Sequence, residues 1–199
     1  MDTNSTRLTS KTYDAIIIGA GISGLYQLHR LRELGMSVRV FEDGDDLGGT
    51  WYWNRYPGAR FDSESWSYGY SFSPELLQEW DWKEHFSPQP DTLEYLNLVA
   101  RKFDLRRDIQ FSSRVTAAHW HDSDNQWVVT LQSGEQAAAP FLFTAIGILS
   151  APTPPRIAGI ESFRGLAYHT GRWPHTPVDF TDRKSTRLNS SHLVISYAV

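Results

Sequence analysis

The sequence predicts an α/β fold organised around a strand–helix–strand unit, and three observations carry that prediction. Tyr13-Asp14-Ala15-Ile16-Ile17-Ile18 is a short run rich in β-branched residues that ends at Gly19-Ala20-Gly21-Ile22-Ser23-Gly24. Ile22, Leu25, Leu28, Leu31 and Leu34 then recur every third residue, near enough to the helical period to form one apolar stripe. Val38-Arg39-Val40-Phe41-Glu42 alternates as a second strand and ends in an acid. Strand, glycine loop, helix and strand fit within about 30 residues, the size of a βαβ unit.

The remaining elements follow in order. Gly35 is placed to stop the first helix as a C′ residue. Ser73-Pro74 supplies an N-cap and a first helical position for a helix through Leu76, Leu77 and Trp80. Asp91 and Glu94 form a capping-box-like start for another, with Leu93, Leu96, Ala100 and Phe103 on one face. From Ile109 the period drops to two. Residues 117–120 and 127–131 flank the turn Asp122-Ser123-Asp124-Asn125, and Gln132-Ser133-Gly134-Glu135 turns the chain again, which makes a small β-meander. Phe141-Leu142-Phe143-Thr144-Ala145 is apolar on both sides, as a strand buried in a parallel sheet should be. Ala151-Pro152-Thr153-Pro154-Pro155 is a stiff connector.

Composition removes several function classes. With 19 Lys+Arg against 23 Asp+Glu the net charge is −4, so no basic excess exists to neutralise phosphates and no nucleic-acid partner is expected. A hydrophobic share of 40% is enough for a core. The absence of cysteine removes disulfide scaffolds, thiolate metal sites and cysteine nucleophiles. The histidines show no metal-ligand spacing tied to carboxylates, and His119 and His121 read as the exposed face of a strand, so no metal is expected. The most apolar stretch, 137–149, is broken by Pro140 and Gly147 and falls short of the ~20 residues of a membrane span. Residues 1–12 lack the apolar centre of a signal peptide and read as a disordered leader, so a cytoplasmic protein is expected.

Gly19-x-Gly21-x-x-Gly24 follows a strand, opens a helix and is answered by Glu42. The first glycine permits a tight turn, the second lets backbone approach a pyrophosphate, and the third allows close helix–strand packing. The helix N-terminus adds unpaired N–H groups and a positive dipole end. Glu42 can accept hydrogen bonds from a ribose 2′-OH and would repel a 2′-phosphate, which favours FAD or NAD over NADP at this site. An NAD dehydrogenase would continue into another βα repeat. Here Gly48-Gly49 instead leads into the dense aromatic stretch Thr50-Trp51-Tyr52-Trp53-Asn54-Arg55-Tyr56-Pro57-Gly58-Ala59-Arg60-Phe61-Asp62. Adjacent glycines suit close approach to a second phosphate or a ribityl chain. Trp51, Tyr52 and Trp53 either wall off an isoalloxazine or pack as ordinary core.

Residues 48–62, with Ser71-Phe72-Ser73, resemble the flavin loop of type I Baeyer–Villiger monooxygenases, the cyclohexanone monooxygenase group. Phe163-x-Gly165-x-x-x-His169-x-x-x-Trp173-Pro174 fits that family's fingerprint FxGxxxHxxxW(P/D) at every fixed position. The resemblance runs from about Tyr13 to Thr181. Thr144-Ala145-Ile146-Gly147-Ile148-Leu149-Ser150 is similar to the family's second flavin-contact strand, with Ile146 departing from the pattern.

The resemblance implies a flavoprotein with two dinucleotide domains, in which NADPH reduces FAD and one oxygen atom of O2 is inserted beside a ketone carbonyl to give an ester or lactone. Residues 13–150 would be the Rossmann-like FAD-binding domain and 151–181 a linker bearing the fingerprint, with the NADPH domain and an arginine beside the flavin still to come. It implies FAD-binding roles for Gly19, Gly21, Ser23, Gly24, Glu42, Gly49, Thr50, Trp51, Trp53, Tyr56, Asp62 and Val115. Asp62 matches the family's active-site acid, which orients that arginine. Phe163, Gly165, His169, Trp173 and Pro174 take a conformational role, and His169 is read as coupling domains rather than as a base. The alternatives are a flavin monooxygenase acting on nitrogen or sulfur, whose linker fingerprint differs after the histidine so that Trp173-Pro174 decides against it, and a non-catalytic FAD-binding module. Small-molecule ketone and O2 are the expected partners, with no membrane.

Residues 182–199 change character, becoming Ser-rich and weakly periodic. Asp182-Arg183-Lys184-Ser185-Thr186-Arg187-Leu188-Asn189-Ser190-Ser191-His192 and Ile195-Ser196-Tyr197-Ala198-Val199 resemble one reading frame of a common synthetic sequencing adapter, with Leu193-Val194 in the place of an index. The expectation is that this tail is translated adapter and that the native chain continues past Thr181 with other residues.

Overall fold

The computed structural model describes residues 11–181 and, beyond them, the backbone of Ser185–Ser190 and Leu193–Ala198. Most of the expected leader and the side chains of the tail therefore lie outside the described residues. By their internal contacts the described residues form two compact units. One comprises the chain up to Gly49 together with Leu96–Gly147, the other Thr50–Tyr95 together with the chain from Ile148 onward. The expected FAD domain of residues 13–150 is thus divided, with residues 50–95 grouped with the linker.

The first unit opens with β1 (Lys11–Thr12), β2 (Ala15–Ile18), α1 (Ile22–Glu33) and β3 (Val38–Phe41). The chain returns to it through β4 (Ile109–Gln110), β5 (Val115–His121), β6 (Gln126–Leu131), β7 (Gln136–Ala139) and β8 (Phe141–Thr144). A parallel sheet runs β4-β3-β2-β8, with Ala15 opposite Val38 on one side and Phe141 on the other. A second sheet runs β1-β7-β6-β5 and contains the expected meander. Ile16 and Phe41 of the parallel sheet pack on Val129, Leu131, Ala137 and Ala139 of the meander. α1 packs on β2 and β3 and buries Leu25, Leu28 and Leu31.

Four local expectations are corrected. Lys11 and Thr12 are strand rather than disordered leader: the open backbone edge of β7 accepts them in parallel register, and Tyr13 N donates to Ala138 O at 3.0 Å. Leu34 is 75% exposed, because a three-residue spacing falls short of the helical turn and the stripe rotates out of the core by the C-cap. β8 is not buried on both faces. Among the described residues it has β2 alone beside it, and Phe141 is 55% exposed. The fourth concerns the helix after Ser87, in the chain between the two halves of the first unit.

That chain holds α2 (Thr50–Trp53), α3 (Ser65–Tyr68) and α4 (Pro74–Glu79), and α5 (Gln89–Lys102) runs from it back into the first unit. α4 starts as its sequence demands: Ser73 Oγ accepts from Leu76 N at 3.2 Å and Pro74 follows the cap. α5 begins before the expected Asp91 box, since Pro90 is tolerated in a first turn whose N–H needs no partner. Its buried face is Thr92, Tyr95, Leu96, Val99 and Ala100, with Leu93 and Phe103 only half-buried. In the second unit β9 (Ala167–His169) precedes a 3-10 turn, Thr170–Arg172. The backbones of Ser185–Ser190 and Leu193–Ala198 pair antiparallel, and the latter also pairs with β9. Among the described residues no helix is long and apolar enough to cross a membrane.

Candidate functional site

In the first unit the two glycine segments meet. Gly19 takes φ +102° after β2, a conformation that L side chains rarely adopt, and its N–H donates to Phe41 O at 2.8 Å. Gly21 is the N-cap of α1 and offers no side chain of its own. A Cβ on Gly24 would stand 1.9 Å from Gly19 O, so only glycine lets α1 leave the turn this close to β2. Gly48 N–H donates to Ala20 O at 3.0 Å, and a Cβ on Gly49 would stand 2.8 Å from Gly21 Cα. The result is a bare backbone cradle at the carboxyl ends of parallel strands, beside a helix N-terminus, which is where an α/β sheet takes a phosphorylated ligand. Ser23 is exposed on the first turn of α1.

Glu42 follows β3 and is 5% exposed. Its Oε2 accepts from Ala20 N at 2.6 Å and its Oε1 from Gly44 N at 2.8 Å. Burial holds its carboxyl above the ordinary glutamate range, against the lowering effect of those two N–H groups. Sequence reasoning gave Glu42 a ligand role alone. The structure adds a second one, since the carboxylate ties the glycine turn to the end of β3. The acids that follow are held as well: Arg106 forks onto Asp46 at 2.7 and 2.8 Å, and Arg114 reaches Asp43 at 3.2 Å. Neither arginine was singled out from the sequence. Val115 lies half-buried at the start of β5, packed on the core shared by the two sheets.

The other expected site residues belong to the second unit. Trp51 and Tyr52 are each 6% exposed, so they are core more than surface. Trp51 Nε1 donates to Tyr68 Oη at 2.6 Å, and its ring stands edge-on to Phe61 at 5.6 Å. Thr50, Trp53 and Tyr56 are half-buried and Asp62 is exposed. Gln89, which the sequence reading missed, is 8% exposed and donates its Nε2 to Trp51 O. Its signal was a polar residue held between Pro88 and Pro90.

The fingerprint residues form a compact turn. Phe163 and Pro174 are half-buried and Gly165 is exposed. His169 caps the 3-10 turn, its Nδ1 accepting from Gly171 N at 3.1 Å. Trp173 is 7% exposed, 5.3 Å from Tyr168 and stacked on Phe180 at 6.0 Å. Among the described residues no group of three His, Cys, Asp or Glu gathers as a metal site would require.

Comparisons with known proteins agree with this geometry. A family profile for NAD(P)-binding Rossmann-like domains matches residues 17–77. A Baeyer–Villiger monooxygenase of Pseudooceanicola batsensis is 44% identical over 92% of this chain and 34% of its own length. Cyclohexanone 1,2-monooxygenase of an Acinetobacter species is 47% identical over 81% of the chain and 30% of its own. A phenazine N-monooxygenase of Lysobacter antibioticus is 44% identical, again over 81% and 30%. The crystal structure of OTEMO in complex with FAD and NADP superposes with a TM-score of 0.78 at 47% identity, covering 83% of this chain and 31% of that one. The fold is therefore Rossmann-like, and the chain is homologous to the N-terminal part of these monooxygenases. It spans about a third of the length of the curated relatives it matches.

Proposed function

We propose that this chain is the FAD-binding portion of a Baeyer–Villiger monooxygenase, which uses FAD, NADPH and O2 to insert one oxygen atom beside a ketone carbonyl and release an ester or lactone. The observation that carries the reading is the cradle of Gly19, Gly21, Gly24 and Gly49 beside the buried Glu42, in a chain this similar to enzymes of that class. The cradle suits a dinucleotide because these glycines, having no side chain, let the turn, α1 and residues 48–49 close backbone to backbone and leave the N-terminus of α1 to face the phosphates.

When bound, FAD supplies the redox chemistry, passing reducing equivalents from the nicotinamide to O2. The chain's own residues do the holding. Backbone at Gly21 and Gly49 admits the pyrophosphate, and the N-terminus of α1, with Ser23 on its first turn, faces negative charge. Glu42 accepts from the adenosine ribose while bracing the turn. Trp53, half-buried, with Thr50 and Tyr56 in the same stretch, keeps water from the flavin ring. Val115, half-buried at the start of β5, would contribute an apolar contact to the adenosine. Asp62, exposed, is a carboxylate ready to orient a cation supplied from outside the described residues. The fingerprint turn around Phe163, Gly165, His169, Trp173 and Pro174 links the FAD portion to the nicotinamide-binding portion.

Nitrogen oxygenation is the second reading, and the 44% identity to a phenazine N-monooxygenase favours it specifically. Trp173-Pro174 is the sequence argument against it, and the substrate oxidised decides between the two. An acidic balance argues against nucleic acid as a partner, and dependence on NADPH suits the cytoplasm. The test is the full-length protein, assayed for flavin absorbance, NADPH consumption and product. Lactone from a cyclic ketone supports the reading, whereas oxygenation of aromatic nitrogen alone, or bound flavin without NADPH consumption, refutes it.

A further inference from the structure

Between His169 and Trp173 lies one charged side chain to which neither the motif nor the family resemblance gives a role, Arg172. Its guanidinium carbon lies 4.7 Å from the centre of the Trp53 ring. Nη2 donates to Ser150 O at 2.9 Å and Nη1 to Gly171 O at 3.0 Å, so two carbonyls fix the cation over the indole. The turn that presents it is built by His169, whose Nδ1 accepts from Gly171 N. The same stretch makes further contacts with the aromatic residues. The His175 ring lies 4.8 Å from Tyr52 and 6.2 Å from Trp53, and a Cβ on Gly171 would stand 3.5 Å from Asn54 Oδ1. Tyr52 closes the edge of Trp53 at 4.7 Å. Within the second unit, α2 and the fingerprint turn are thus joined through Trp53, the tryptophan of α2 that is only half-buried.

We propose that Arg172 is a positioning residue that holds the Trp53 indole in one rotamer and so keeps the aromatic turn closed to water; the proposal rests on the flavin reading given above. Arg172 is exposed, and at such a site the attraction of a cation to an indole face biases a rotamer by about two- to fivefold. Lysine reproduces the charge but not the planar fork that bonds two carbonyls at once, so the order of effectiveness is Arg, then Lys, then Met. The histidine of the fingerprint then acts on the aromatic turn at one remove, by shaping the backbone from which Arg172 projects.

The test is a double-mutant cycle in the full-length flavoprotein, using Arg172→Met and Trp53→Phe. Its readout is the share of consumed NADPH that ends as hydrogen peroxide instead of oxygenated product. Arg172→Met should raise that share several-fold with FAD content and substrate KM unchanged, and Arg172→Lys should restore part of the coupling. The double variant should be no worse than Trp53→Phe alone. Additive effects, or an Arg172→Met enzyme as well coupled as the parent, overturn the proposal. A second readout needs no cofactor: in the 199-residue chain, the Trp53 indole N–H resonance, identified by its loss in Trp53→Phe, should move in Arg172→Met and move less in Arg172→Lys. An unmoved resonance overturns the contact. If the unaltered full-length protein binds no FAD, the flavin reading fails, and the indole readout alone decides whether Arg172 holds Trp53.

Discussion

Gly21 and Gly49 meet backbone to backbone: a methyl group on Gly49 would stand 2.8 Å from the Cα of Gly21, and one on Gly21 would stand 3.3 Å from the Cα of Gly49. Two glycine motifs well apart in sequence therefore form one surface. Their glycines answer to each other as much as to any ligand.

Gly49→Ala should abolish FAD uptake by the full-length protein. Gly134→Ala is the control: at φ +88° it carries the same kind of backbone strain, yet no atom lies within 4 Å of its added Cβ. It should cost about 1–2 kcal/mol of stability and leave flavin content unchanged. The measurement is flavin absorbance per mole of purified protein beside a denaturant midpoint. Equal flavin loss in both variants would show that the cradle responds to stability alone.

Glu42 predicts a pH dependence with a definite sign. Burial raises its carboxyl in the folded state, so its contribution to stability is fully present below the ordinary glutamate value and is lost as pH rises through the raised one. Glu42→Gln should remove that slope. It should also cost about 1–3 kcal/mol, because one of the two buried N–H groups then faces an amide donor. Denaturant midpoints of both proteins across the acidic range check this, and parallel curves would rule it out.

Asp62→Ala should cut ketone oxygenation by the full-length enzyme far more than it lowers FAD content. Because Asp62 is exposed, the melting temperature should scarcely move, with stability within about 0.5 kcal/mol. Parallel loss of flavin and turnover would assign Asp62 to folding instead.

The 199-residue chain by itself should show no NADPH-dependent oxygenation, since it spans only about a third of the length of the curated monooxygenases it matches. Ending it after Thr181 should leave FAD uptake unchanged, as expected of a tail read as translated adapter. Lactone formation by the chain, or loss of flavin binding on trimming, would contradict that view of the C-terminus.

Periodicity made the βαβ unit and the meander legible, because strand and helix periods differ and Gly19, Gly21 and Gly24 mark the turn between them. Ser73-Pro74 was equally readable, being a local signal with a local cause. Partners brought together by the fold left no such trace. The contact of Gly21 with Gly49, the grip of Glu42 on Ala20 and Gly44, and the Arg172–Trp53 pair join residues whose spacing obeys no period. That β8 has a single neighbour among the described residues was also hidden, since an apolar strand reads alike whether one neighbour or two flank it. Resemblance offered Asp62 as an expected site residue, but only coordinates show that it is exposed.

The central strand β2 has one neighbour that is synthesised soon after it and another that arrives very late. Ala15 lies opposite Val38 but also opposite Phe141, across a loop that includes the whole segment 50–95 of the other unit. On the ribosome, β2, α1 and β3 emerge first and must wait with one apolar flank open while that segment emerges. Such delayed, non-local pairing is slow and prone to side reactions. Synthesis that pauses before residue 141 should leave a nascent chain that depends on chaperones, and the first unit should gain protease resistance only once β8 has left the exit tunnel.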